Sequence, residues 1–220
     1  MAIIVALMAT LLMSALGAAL VLTTSSDALI AANFRNAQEG VYAADAALER
    51  AMVDLGPRAD WNAVLDGSAS STFVDGSPGG VRTRADGSSL DLDRTLNMLN
   101  CRKVTSCSAS DLIANTAQRP WGANNPVWRL FAYGPLSGLL SPHAIESAYY
   151  VIVMIADDPS ENDDDPLRDG QGPTNPGTGV LSLRAEVFGP RGARQVIEVT
   201  AARPGMEGYG VRVLSWRLIR

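Results

Sequence analysis

MAIIVALMATLLMSALGAALVLTTSSDALIAANFRNAQEGVYAADAALERAMVDLGP, residues 1–57, decides the fold. Met1 to Thr24 are almost all apolar or small, and the first charged side chain is Asp27. As a helix, Met1 to Ser26 would span roughly 39 Å, enough to cross a bilayer. A cleaved signal peptide has a basic start and an apolar stretch of about seven to fifteen residues. This run is apolar from its first residue and longer than that, so the signal reading is weak. The stretch that follows is periodic. Ile30, Phe34, Ala37, Val41, Ala44, Leu48, Ala51 and Leu55 recur at alternating steps of four and three, a stripe on one helical face. Asp27, Arg35, Gln38, Glu39, Asp45, Glu49 and Asp54 lie off it. No proline precedes Pro57, and Gly56-Pro57 is a helix stop. The pattern predicts one helix from near residue 2 to about residue 55, roughly 80 Å long, wholly apolar in its first half and amphipathic in its second. An ordinary juxtamembrane helix packed on its own domain is the plainer alternative.

Beyond Pro57 the pattern changes to short segments punctuated by Gly, Ser, Pro and Asn. The division expected is therefore 1–55 as a membrane-span or filament-core helix and 56–220 as an exported globular head. Residues 66–89 read as exposed loop with a short hairpin around Thr72 to Arg84. Short helices are expected at Leu92 to Asn100 and, capped by Ser110, at Asp111 to Gln118. Strands are expected at Trp128 to Tyr133, Ala148 to Ala156, Gly179 to Gly189, Ala193 to Ala202 and Val211 to Ile219. In the third, Leu181, Leu183, Ala185 and Val187 alternate with Ser182, Arg184 and Glu186, the period of a half-buried strand. Gly189-Pro190-Arg191-Gly192 joins it to the fourth as a hairpin. An antiparallel sheet with one apolar face needs a cover, and the stripe from Ile30 to Leu55 supplies it. The fold class is α+β, a long N-terminal α-helix packed against an antiparallel β-sheet.

The chain has 220 residues, 47% of them hydrophobic and 19% charged, enough for one buried core plus an apolar attachment. Its net charge is −5, and Lys103 is the only lysine among 18 basic residues, so nothing indicates nucleic-acid binding.

The apolar start, the polar step TTSSD and the segment ANFRNAQEGVYAADAALERAM resemble the amino-terminal region of type IV pilins, most closely PilX-like minor pilins. The alanine-rich segment typical of that family is matched by Ala43-Ala44-Asp45-Ala46-Ala47-Leu48. The resemblance covers about a quarter of the chain and rests on the long pattern. It implies a roll of helix on sheet and a subunit held in the bacterial inner membrane before assembly. The subunit then packs in an extracellular filament against copies of itself or sister pilins. In that reading Met1, Ile3, Ile4, Leu7, Leu11 and Leu20 form the dry filament core. Gly17 allows close approach or local melting. Ile30, Phe34, Val41, Leu48 and Leu55 lock the sheet to the helix. Family prepilins carry a short basic leader ending in glycine, so Met1 is expected to be either the first mature residue or the start of a trimmed chain. Major pilins have glutamate at the fifth mature position, as pseudopilin K of type II secretion does not. Val5 here leans toward a minor or tip place.

Two cysteines, Cys101 and Cys107 in CRKVTSC, are wrongly spaced for zinc or CxxC redox chemistry. They are reduced thiols, or, if the head is exported, a local disulfide. His143, the only histidine, sits beside no nucleophile motif and reads as a surface residue. No P-loop, GxGxxG after a strand or HExxH occurs, so the chain is expected not to be an enzyme and to require no cofactor. Trp121, Trp128 and Tyr133 read as packing aromatics rather than a ligand platform. The acidic stretch 156–177 contains Asp157, Asp158, Glu161, Asp163, Asp164, Asp165 and Asp169, oxygen ligands of the kind calcium takes. It lacks the EF-hand glycine and glutamate. It is either a solvated loop or a calcium loop held by Asp158, Asp163, Asp165 and Asp169. Pseudopilins of type II secretion carry calcium loops of a related sort. The rival to the filament reading is a single-span, membrane-anchored binding protein; a secreted hydrolase with an uncleaved signal comes third.

Overall fold

The computed structural model describes residues 1–140, 146–170, 175–203 and 210–219. The chain divides into two compact units, Met1–Glu39 and Gly40–Arg220. One helix, α1 (Ala2–Leu55), contributes to both.

In the first unit every residue from 1 to 31 is exposed. Five hydroxyls in this apolar stretch bond to their own backbone. Thr10 donates to the Leu7 carbonyl at 3.0 Å, Ser14 to Thr10 at 2.9 Å, Thr24 to Leu20 at 2.9 Å and Ser25 to Leu22 at 2.9 Å. Thr23 reaches the carbonyls of both Ala19 and Leu20. Each of these five hydroxyls thus has a partner without water, which a span in lipid or in a dry bundle requires.

The second unit begins with the last turns of α1, whose buried residues are Gly40, Ala43, Ala44, Ala47, Leu48, Ala51 and Leu55. Small side chains let the helix axis approach the sheet closely. At Gly40 an added Cβ would stand 2.8 Å from Cγ of Gln195, so even a methyl group would force a shift. The expectation for Ile30 and Phe34 is corrected here: both are about two-thirds exposed, and Val41 is the first large residue of the stripe to pack on the core. Helical spacing identifies an apolar face but not what covers it.

The sheet is an antiparallel meander, β3 (Arg129–Pro135), β4 (Tyr150–Asp157), β5 (Val180–Phe188), β6 (Arg194–Ala202) and β7 (Arg212–Ile219), in that order. All five strands fall where the sequence places them, within two residues at each end. On one face Val151, Val153 and Ile155 of β4 meet Leu181, Leu183 and Ala185 of β5, Ile197 and Val199 of β6, and the alanine face of α1. The opposite face of β4, Tyr150, Ile152, Met154 and Ala156, packs under Leu92 of α3 (Leu92–Cys101) and Leu90 of β2 (Ser89–Asp91). β4 is therefore buried along its whole length. Its continuous apolar run, unlike the alternation in β5, is the signature of a strand covered on both sides.

Along the chain between α1 and β3 come also α2 (Asn62–Leu65), a two-stranded hairpin of β1 (Val81–Thr83) with β2, and α4 (Ala109–Leu112). The hairpin lies C-terminal to the expected one. Its turn closes through Arg84 and Ser88, with Gly87 at φ +79°, while the upstream glycines serve as loop. α4 is shorter than expected and starts earlier. Ser108, not Ser110, is its cap, and Asp111 returns the bond to the Ser108 backbone in a capping box. Cys101 and Cys107 are joined in a disulfide.

Candidate functional site

Two features carry functional information: a pocket in the β4–β5 connection and the exposed part of α1. The pocket is built from the end of β4. Asp157 closes that strand opposite Leu181 of β5, which fixes its position. A tight turn follows, with the Glu161 N–H donating to the Asp158 carbonyl at 3.1 Å, and turns the Glu161 side chain inward. Glu161 Oε2 accepts from the Gly170 N–H at 2.7 Å and from Asn175 Nδ2 at 3.3 Å. Asp169 Oδ1 accepts from the Gly179 N–H at 2.6 Å, its other oxygen takes the Arg203 guanidinium, and its own N–H donates to Asn62 Oδ1 at 2.9 Å.

One carboxylate oxygen from each of Asp157, Glu161 and Asp169 lies within 4.8 Å of the other two, and all three residues are 3–5% exposed. Gly170 and Gly177 make room for them. A Cβ at Gly170 would collide with Asn175 Nδ2, Glu161 Oε2 and Asp163 Oδ2, and one at Gly177 with Glu161 Cγ. The carboxylates are incompletely satisfied. Asp157 Oδ1, Glu161 Oε1 and Asn175 Oδ1 are buried acceptors with no hydrogen-bond partner among the described residues. Burial pushes the Asp157 carboxyl up to about 9, reinforced by the charge of Glu161, and burial pushes Glu161 up to about 7. Burial raises Asp169 as well, although Arg203 opposes it.

Of the four carboxylates expected to ligate calcium, only Asp169 belongs to this set. Asp158 and Asp165 are half-buried outside it and accept backbone N–H bonds in local turns, from Ser160 at 3.2 Å and Leu167 at 3.4 Å. Asp163 is exposed at the rim, where it accepts from the Asp165 N–H at 3.1 Å. Asp157 and Glu161 complete the convergent set. The end of β4 and the turn after it choose which side chains face inward.

The other candidates carry less. His143 lies outside the described residues. Trp128 and Tyr133 are buried, as packing aromatics should be, while Trp121 is 44% exposed. An open cleft beside the outer face of β5–β7 is lined in part by Trp128, Arg184, Glu198 and Arg217. Glu198 takes ion pairs from both arginines.

The exposed part of α1 presents an aliphatic surface with no charge before Asp27. Residues 1–49 match the family model described as PilX N-terminal. The chain has a PilX-type amino terminus. No curated protein and no solved structure matches the chain. Within the matched segment Met1, Ile3, Ile4, Leu7, Leu11 and Leu20 are all more than half exposed, and Gly17 has open space around its Cα. The helix is long and apolar enough to cross a membrane.

Proposed function

We propose that this protein is a structural subunit of a type IV pilus-like or pseudopilus filament. It is held in the bacterial inner membrane by the apolar half of α1 and then assembled through that same surface against copies of itself or sister pilins. The observation that carries the reading is the coincidence of the PilX N-terminal match, residues 1–49, with a helix whose first 31 residues bury nothing of their own. Exposing so many large aliphatic groups to water is costly, at about 25 cal/mol per Å² of apolar surface, so lipid or other subunits must cover them.

The test is to shear surface filaments from cells producing the chain, identify their subunits by mass spectrometry and locate this one by immunogold labelling. The chain is expected within the filaments or at their ends. Recovery only from the membrane fraction, with filaments that lack it, overturns the reading in favour of a monomeric anchored binding protein.

A further inference from the structure

We propose that Asp157, Glu161 and Asp169, completed by Asn175 Oδ1, form a calcium site that closes the β4–β5 connection onto the start of α2. Three buried carboxylates converge, and three buried acceptor oxygens, Asp157 Oδ1, Glu161 Oε1 and Asn175 Oδ1, have no donor among the described residues. Among the described residues the cation in reach is Arg203, whose two terminal nitrogens are engaged with Asp169 and with the Ala59 carbonyl and whose guanidinium stacks over the Trp61 ring at 4.8 Å. Buried acceptors left without donors call for a cation or an ordered water, and the convergence of three carboxylates favours the cation.

The ligand set is all oxygen, which suits a hard cation and excludes the nitrogen and sulfur preferences of zinc. Two ligands on one calcium ion, each about 2.3–2.6 Å away, can stand at most about 5 Å apart. The carboxylate oxygens fall inside that limit, at 4.8 Å or less. An irregular site of two carboxylates from a strand end and a turn, a third from a loop and a side-chain amide also suits calcium's flexible coordination better than magnesium's strict octahedron. Gly170 and Gly177 belong to the site because any side chain there would fill the space beside Glu161. Through Asp169 the ion would fasten the loop to Asn62 and Arg203, and so to the turn that follows α1.

The experiment is calorimetric titration of calcium chloride into the full chain in detergent micelles, after removal of divalent ions, with thermal melting in parallel. A single site with a dissociation constant below about 1 mM and a rise in melting temperature on adding calcium are expected. Glu161→Gln should bind at least tenfold more weakly and lose most of the calcium-dependent rise. Its melting temperature without calcium should equal or exceed that of the unmodified chain, because one unscreened charge has gone. Asp157→Asn is the second variant, with the same expected loss, and Asp165→Asn should bind as the unmodified chain does. No titration heat together with no thermal shift overturns the proposal. Binding that survives both Glu161→Gln and Asp157→Asn places the ion elsewhere and also overturns it, and equal affinity for magnesium overturns the assignment to calcium. None of these results depends on whether the chain enters filaments.

Discussion

Asn100 and Trp128 form a closed pair of hydrogen bonds: Asn100 Nδ2 donates to the Trp128 carbonyl at 3.0 Å, and the Trp128 N–H donates to Asn100 Oδ1 at 2.8 Å. The side-chain amide acts here as a short length of neighbouring strand and joins the end of α3 to the start of β3. Asn100→Ala removes both partners and leaves two buried backbone groups unmet. The expected cost is about 2–4 kcal/mol, read by denaturant unfolding of the detergent-solubilised chain. An unchanged midpoint would show that water replaces the amide without loss.

The two ends of α1 should respond differently to one chemical change. Leu48 is 1% exposed in the core of the second unit, and Leu11 is 73% exposed in the first. Leu48→Asp buries an unpaired charge and should abolish accumulation of folded protein, while Leu48→Ala should cost about 2–5 kcal/mol. Leu11→Asp should leave the head's melting temperature unchanged and block membrane insertion or incorporation into filaments. Normal filaments built from Leu11→Asp would count against the proposed function.

Joining Cys101 to Cys107 closes a loop of six residues' separation between α3 and the Ser108 cap of α4. In the chain-entropy description a loop this short contributes roughly 2 kcal/mol. Replacing both cysteines by serine should lower stability by about that amount, with a matching loss when the native protein is reduced. Thiol-reactive label should enter neither cysteine in unreduced protein.

Without divalent ions, stability should decline as pH rises. Asp157 and Glu161 have folded pKa values of about 9 and 7, raised above their ordinary 3.8 and 4.5. The folded state therefore holds more protons than the unfolded chain between those limits. That contribution is complete below about pH 4 and is lost as pH climbs through 7 and 9. Asp54 acts oppositely. Burial works against its ionisation, but hydrogen bonds from Ser71 and Thr72 and the charge of Arg50 prevail and hold its carboxyl below the usual value. Its support is present above about pH 4 and disappears on acidification. Melting temperature in EDTA should thus fall between pH 5 and pH 9, with the slope reduced in Asp157→Asn. A flat profile in the unmodified chain would contradict this.

Much of the fold is legible in the residues because local periodicity and burial agree. Alternation in Leu181 to Val187 marks β5, and the unbroken run Tyr150 to Ala156 marks β4. Gly56-Pro57 stops α1 where expected. What periodicity could not show is contact. Ile30 and Phe34 keep step with Leu48, yet they are exposed, because the pattern records a face and not its neighbour. In the hairpin, several glycine clusters offered equally good turns, and cross-strand pairing between Val81 and Asp91 chose among them. In the acidic loop the chemistry was visible as oxygen-rich sequence. Which carboxylates converge depended on the end of β4 and on two glycines next to Glu161, features of chain path rather than spacing.

The hydroxyls of Thr10, Ser14, Thr23, Thr24 and Ser25, each bonded within its own helix, bear on what assembly would demand. A rod that already answers these five hydroxyls internally can exchange a fatty surrounding for a proteinaceous one without breaking or forming a single one of these bonds. Extraction from a bilayer would then be governed by shape fit and apolar contact alone, and swapping such a serine for alanine should leave the ease of that transfer nearly untouched.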